Sequence, residues 1–346
     1  MTASVGLNEL ELQSLQAAFG ERLQLNVPLA RFTSARVGGL AAAFIPADSR
    51  HSLAQMAMNL WKLDMPFMIL GGGSNVLVSD AGFRGVVLYN RARQVIFSED
   101  CTPPVVRADS GVNFGALARQ AASRGLGGLE WAAGIPGTVG GAVVGNAGAH
   151  GGEVSGNLLL AEILHRGIGV GASNDDSRTD LGPHPESWTV ERLEFGYRTS
   201  RLKRRWAGSA ADQPVGQAPT QPEWIVLEAV FRLERSPRET LQAKLDELVA
   251  FRRRTQPPGA SMGSMFKNPP GDYAGRLIEA AGLKGTRIGD AEISTMHANF
   301  FINHGSATAA DIWRLIQRSR EAVIQGFGIA LELEIELVGD WSGKGR

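Results

Sequence analysis

One cysteine, Cys101, is all that this chain of 346 residues carries, so an internal disulfide framework is excluded and a reducing compartment fits best. Charge of one sign is lacking too: 35 Lys plus Arg face 35 Asp plus Glu, a formal net charge of zero. Without a basic field, neither nucleic acid nor an anionic membrane surface is expected as the main partner. Only three tyrosines are present, which leaves little of the aromatic stacking used on single strands. The six histidines, at 51, 150, 165, 184, 297 and 304, show no metal-ligand spacing, so no metal is expected. No run approaches the roughly 18 apolar residues of a spanning helix, and MTASVGLNELELQ has no basic n-region. A cytoplasmic protein working on small molecules, monomeric, is the expectation.

Glycine is what the chain has in quantity: 43 of 346 residues, about 12% against a usual ~7%. Its placement carries more than its number. One cluster is Gly71-Gly72-Gly73-Ser74-Asn75-Val76; the other runs from Gly134 to Gly152 and holds eight glycines in nineteen residues with no Lys, Arg, Asp or Glu. Both are interleaved with apolar residues such as Ile135, Pro136, Val139 and Val143, so they read as ordered loops and not as linkers.

The pattern along the chain is mixed, which predicts an α+β fold with large buried cores, 43% of residues being hydrophobic. A helix is predicted over 7–19 with Asn8 and Glu11 as a cap pair. Strands at 66–70 and 76–78 flank the first glycine cluster and a further strand is predicted at 86–88. A Rossmann site needs a helix straight after its glycines, so that cofactor fold is disfavoured. Residues 113–124 read as a helix, and 207–222 as a flexible insertion rich in Ala, Gln and Pro. Ser236 to Glu239 reads as a capping box opening a helix, and a third domain; Thr308 and Asp311 cap another helix, with Gly326 near its end. The strict alternation of 331–338 predicts a closing strand.

Several clusters could carry chemistry, and each has a plainer reading. Backbone N–H groups of two glycine loops can surround a pyrophosphate where no Cβ intervenes; either loop alone could be a tight turn. Arg198 follows Phe195 and Tyr197 and could stabilise a carboxylate or an enolate, or belong to the basic face formed with Arg201, Lys203, Arg204 and Arg205. Ser264, Lys267 and Asn268 crowd one loop suited to a polar ligand; Ser264 has no His-Asp partner set that would make it a nucleophile. The alternating LELEIELV leaves open which of Glu332, Glu334 and Glu336 faces a site, if any. His297 is the one histidine placed suggestively, in MHANF.

Taken together, TSARVGG, LGGGSNVLVSDAGFRGVV, GLEWAAGIPGTVGGAVVGNAGAHGGEV, FGYRTS, GSMFKNP, LIEAAGLKGTRIGDAEIS, HANFFIN and LELEIELVG resemble, in order and over nearly the whole chain, the MurB family of flavin-dependent UDP-N-acetylenolpyruvoylglucosamine reductases of peptidoglycan synthesis. The resemblance implies an FAD-binding fold of the vanillyl-alcohol oxidase type in two subdomains, 1–92 with 326–346 returning and 93–235, plus a C-terminal α+β substrate-binding domain, 236–325. It implies non-covalent FAD at Gly71 to Val76, Gly134 to Thr138, Gly140, Gly141, Ala142, Asn146, Ala147 and Gly148, including Ile135, Pro136 and Gly137. NADPH would reduce FAD, and a flavin hydride would then attack the methylene carbon of the substrate, UDP-N-acetylglucosamine enolpyruvate. By resemblance Arg198 and Glu334 polarise the substrate carboxylate and Ser264 protonates the adjacent carbon. Tyr197, Lys267, Asn268, His297 and Arg253 would hold the UDP-sugar. GLKG and HANF are similar to the type II branch; a tyrosine-bearing loop after YRTS is absent, and Gln256 stands where the other branch has a lysine. Competing readings are a related FAD oxidase using O₂ and a non-catalytic nucleotide-sugar or flavin-binding regulator.

Overall fold

The computed structural model describes residues 6–167, 182–206 and 221–341, so the insertion expected at 207–222 lies, up to residue 220, outside the described residues. The chain enters through the helix Glu9–Phe19, whose cap is reciprocal: Asn8 accepts the Glu11 N–H and Glu11 accepts the Asn8 N–H. A four-stranded sheet follows in the order Gln24–Pro28, Leu40–Ala47, Phe83–Asn90, Phe67–Leu70, antiparallel at the first pair and parallel elsewhere. The helix Arg50–Lys62 buries Leu53, Ala57 and Leu60 against this sheet and against Leu164, Ile225 and Leu227 of the next one.

That second sheet is antiparallel throughout, in the order His184–Thr189, Leu158–His165, Trp224–Arg232, Val105–Asp109, Val95–Ser98. The helices Phe114–Ser123 and Val139–Gly145 cover its apolar face, with Phe114 packed between Trp131 and Phe231. Arg50 of the first unit reaches Glu162 at 2.9 Å and the buried Glu228 at 2.6 Å. Arg107 shares the same Glu228, so a buried carboxylate is paired from both sides.

The helix Arg238–Thr255 corrects one expectation: Pro237 is its cap residue and no side-chain capping bond forms, so Ser236 is outside it. Its Leu241 and Leu245 pack on Ala122 and Ala133 of the second unit. The C-terminal unit combines the helices Ala274–Ala280 and Ala309–Phe327 with the strands Arg287–Ile288, Ala291–Ile293 and Phe301–Asn303. Thr308 and Asp311 form the capping box, but Gly326 lies inside the helix and the left-handed cap is Gly328, at φ 69°. Ala35, Val37 and Leu77 of the first unit join this core. The terminal stretch is a strand only over Glu336–Val338, paired parallel with Val76–Val78; before it, Leu333 bridges to Phe266. Residues 331–335 of the expected strand therefore serve a loop, not a sheet. Among the described residues no helix is long and apolar enough to cross a membrane.

Candidate active site

The strand Phe67–Leu70 runs into the first glycine cluster, and the chain leaves it as the strand Val76–Val78, with no helix opening there. The second cluster does open one, the short helix Val139–Gly145. The two loops abut. A Cβ on Gly71 would lie 2.5 Å from Thr138 Oγ1, and one on Gly137 would lie 2.6 Å from Ser74 Oγ, so glycine is what lets the backbones meet. Among the described residues, the N–H groups of Gly72, Gly73, Ser74 and Gly137 donate no hydrogen bond. A cradle of unspent amides, on loops that themselves carry no charged residue, fits the pyrophosphate of a dinucleotide such as FAD. Not every expected contact is free: Ile135, Gly140, Ala142 and Ala147 spend their N–H groups on Ala132, Ser110, Thr138 and Ala142. The Asn146 side chain is likewise engaged, donating to Gly196 O at 3.1 Å and accepting the Ser155 N–H at 3.1 Å.

That Asn146 contact places the next piece. Gly196 and Thr199 exchange backbone bonds of 3.0 and 3.2 Å, closing a turn whose tip is Tyr197-Arg198. Arg198 takes a left-handed φ of 56°, which for a bulky residue costs about 1–2 kcal/mol and must be held by its surroundings. Ser200 helps hold it, donating to Val144 O at 2.7 Å. The guanidinium donates from Nη2 to Gly148 O at 2.8 Å, and its Nε lies 2.9 Å from Glu334 Oε1. The Nε is buried and makes no well-aligned hydrogen bond with that oxygen, so the two side chains are in close contact with a donor still unspent.

Glu334 comes from the far end of the chain and is fixed through its backbone. Its N–H donates to Met265 O at 2.9 Å, and its C=O accepts from Lys203 Nζ and from Asn75 Nδ2, each at 3.2 Å. Asn75 belongs to the first glycine cluster, so Glu334 is fastened to the cradle itself. Lys203 also pairs with Glu336 at 2.8 Å. Burial raises the Glu334 carboxyl above its ordinary value, and the opposing pull of Arg198, Lys203 and Lys267 does not cancel it.

Ser264 bridges to Phe300, and the Lys267 N–H donates to Glu332 O at 2.9 Å, so 264–267 is threaded between 299–300 and 332–334. Buried Asn299 locks it there: Oδ1 accepts the Phe266 N–H at 2.9 Å, Nδ2 donates to Phe266 O at 2.8 Å, and its own C=O accepts the Met265 N–H at 2.8 Å. The segment holding Ser264 is thereby laid beside the backbone of Glu334, which bonds to Met265. Asn299 was not among the expected residues; the available signal was an amide in the otherwise apolar run ANFFI.

The expected substrate contacts divide. The Asn268 N–H approaches Tyr197 Oη at 3.4 Å, Lys267 pairs with Glu332, and the Tyr197 ring lies 5.4 Å from the Arg198 guanidinium carbon. These stand together. His297 turns instead toward the helix Ala274–Ala280: its Nδ1 accepts the Asn299 N–H at 3.3 Å, its ring lies 4.8 Å from Phe300, and burial lowers its pKa. Arg253 is exposed on the helix Arg238–Thr255. The half-buried neighbour Arg252 meets the second glycine loop, where a Cβ on Gly134 would lie 3.1 Å from Arg252 Cδ. Burial lowers its pKa.

Residues 41–163 match the family model described as an FAD binding domain, and residues 255–338 match the C-terminal domain of UDP-N-acetylenolpyruvoylglucosamine reductase. The first match agrees with the α+β, non-Rossmann flavin fold of the vanillyl-alcohol oxidase type expected above. Along its length the chain is 41% identical to the UDP-N-acetylenolpyruvoylglucosamine reductase of Chloroflexus aggregans, over 91% of this chain and 97% of that one. It is 40% identical to that of Rubrobacter xylanophilus, over 90% and 94%. The crystal structure of the MurB enzyme of Thermus caldophilus superposes with a TM-score of 0.69 at 32% identity, covering 91% of this chain and 98% of that one.

Proposed function

Since the chain belongs to the UDP-N-acetylenolpyruvoylglucosamine reductase family of FAD-binding oxidoreductases, we propose that it reduces UDP-N-acetylglucosamine enolpyruvate to UDP-N-acetylmuramate with NADPH, as a cytoplasmic monomer. The observation that carries this is the Arg198–Glu334 pair, fastened by Asn75 to the glycine cradle. FAD, when bound, supplies the hydride that saturates the enolpyruvyl double bond. The cradle residues Gly72, Gly73, Ser74 and Gly137 would hold its pyrophosphate through their unspent amides. Arg198 receives the substrate carboxylate. Desolvation raises the Glu334 pKa, which favours the protonated form that donates to that carboxylate where an ionised partner would repel it. Charge gathering on the carboxylate during reduction is stabilised by this fixed cation and donor.

The carbon beside the carboxylate then needs a proton, and the Ser264 hydroxyl delivers it. A serine hydroxyl is a weak acid, so this works toward a strongly basic carbon, with the proton restored from water. Tyr197, Lys267 and Asn268 hold the nucleotide-sugar. In anaerobic stopped-flow absorbance, NADPH should bleach the flavin and UDP-N-acetylglucosamine enolpyruvate should restore it. Restoration by O₂ alone would overturn the proposal.

A further inference from the structure

At the edge of the second sheet, the strands Leu158–His165 and His184–Thr189 pair antiparallel with His165 directly opposite His184. Side chains alternate along a strand, so His184 and Glu186 share a face, and the cross-strand pairing adds His165 to it. The three ligand-type atoms converge. His165 Nε2 and His184 Nε2 are 3.1 Å apart, and Glu186 Oε1 lies 3.4 Å from the first and 3.5 Å from the second. Metal bonds of about 2.0–2.1 Å in a tetrahedral site put neighbouring ligand atoms roughly 3.3–3.4 Å apart. The three edges therefore match one face of such a tetrahedron.

Each group is also oriented from behind. His184 Nδ1 donates to Gly182 O at 2.9 Å, which leaves the Nε2 lone pair directed at the triangle. Glu186 Oε2 accepts from Trp188 Nε1 at 3.0 Å and pairs with Arg192 at 2.5 Å, leaving Oε1 toward the imidazoles. His165 is almost wholly buried, and its Nδ1 accepts the Gly167 N–H at 3.3 Å, at the long end for a hydrogen bond. With no cation, a single proton on His165 Nε2 satisfies both rings. A cation takes the place of that proton, which passes to His165 Nδ1 as the Gly167 contact opens.

We propose that His165, His184 and Glu186 bind a divalent ion of the zinc class at a site separate from the reductive centre. Two imidazoles and one carboxylate suit Zn²⁺, Co²⁺ or Ni²⁺, whereas Mg²⁺ and Ca²⁺ call for oxygen ligands. Such an ion would staple the edge strand to its neighbour at the point where the chain departs into residues 168–181, which are outside the described residues. Arg192 opposes additional positive charge, so the expected affinity is moderate.

The test uses the full-length flavoprotein, stripped with a chelator and titrated calorimetrically with ZnCl₂, with MgCl₂ as the control. Wild type should take up one Zn²⁺ per chain and melt at a higher temperature with it, and should ignore Mg²⁺. His165→Ala, His184→Ala and Glu186→Gln should each weaken uptake at least about tenfold and abolish the melting shift while NADPH still reduces the flavin. Glu186→Gln keeps the side-chain volume and the Trp188 bond, so it decides the matter if an imidazole substitution unfolds the edge. Lack of saturable uptake by wild type, or uptake that survives Glu186→Gln undiminished, would overturn the proposal.

Discussion

Arg198 and Glu334 face each other across a contact that neither residue's neighbours in sequence announce, and the chemistry expected of them depends on who holds the proton. Burial raises the Glu334 pKa, so its protonated form should be the active one. Turnover should accordingly fall as pH rises through that raised pKa, and Glu334→Gln, which cannot titrate, should lose that limb along with much of the rate; a pH profile of kcat for both proteins checks it. Stability gives the same group a second readout. A folded-state pKa above the unfolded one means that, as pH climbs past the unfolded value, the unfolded chain releases a proton which the folded chain still binds. Wild type should thus lose stability relative to Glu334→Gln over that window, a trend that urea melts at stepped pH would reveal. Ser264→Ala should cut turnover by about 10²-fold or more, the usual contribution of a positioned acid, while NADPH reduces the flavin at its normal rate. Loss of both half-reactions in that variant would mean the serine holds the loop together.

The elements show which parts of the site a sequence can disclose. Asn8 with Glu11 and Thr308 with Asp311 are readable because donor and acceptor stand three residues apart, and both boxes form. Ser236 with Glu239 has the same spacing, yet Pro237 is the cap residue and no side-chain bond closes there. The alternation of 331–338 announces extended chain but not its partners: 336–338 finds Val76–Val78, while 333 and 334 find Phe266 and Met265. Pairing registers of that kind are set by tertiary packing, which is why the partners of Asn299 and Lys203 and the convergence of His165, His184 and Glu186 are not legible in the sequence. The arginines at 252–254 are alike in sequence and differ only in which helix face they occupy; that Arg252 meets the second glycine loop while Arg253 is exposed is visible only in the fold. The glycine loops are the opposite case, because their need for close approach is written in the residue type. Gly71→Ala should push its Cβ against Thr138 Oγ1 and weaken FAD binding, and Thr138→Ala should restore part of the loss. Flavin fluorescence titrations of the two single variants and the double variant would measure that coupling; additive losses would mean the loops do not meet.

Across the whole molecule, the cores are shared and the site lies where they join. Leu77 of the first unit is buried with Ile312 of the last and with Ile335 of the returning terminal stretch, and Arg50 reaches into the second sheet. The most economical link is Asp80, whose carboxylate accepts the Ala309 N–H at 2.8 Å and the Ala310 N–H at 3.0 Å. These are the first two amides of the helix Ala309–Phe327, so a residue beside the first glycine strand completes the cap of a helix in the C-terminal unit and complements its dipole. Asp80→Ala should destabilise by about 0.5–2 kcal/mol, the range for a lost helix cap. What distinguishes a shared architecture is where that loss appears. If the units unfold together, the far-UV dichroism midpoint and the temperature of flavin release should fall by the same amount, although Asp80 is no part of the cradle. A dichroism midpoint that drops while flavin release stays in place would instead mean that the C-terminal unit unfolds alone, and that the Glu334 tether to Asn75 is too weak to make cofactor binding and substrate-side folding a single event.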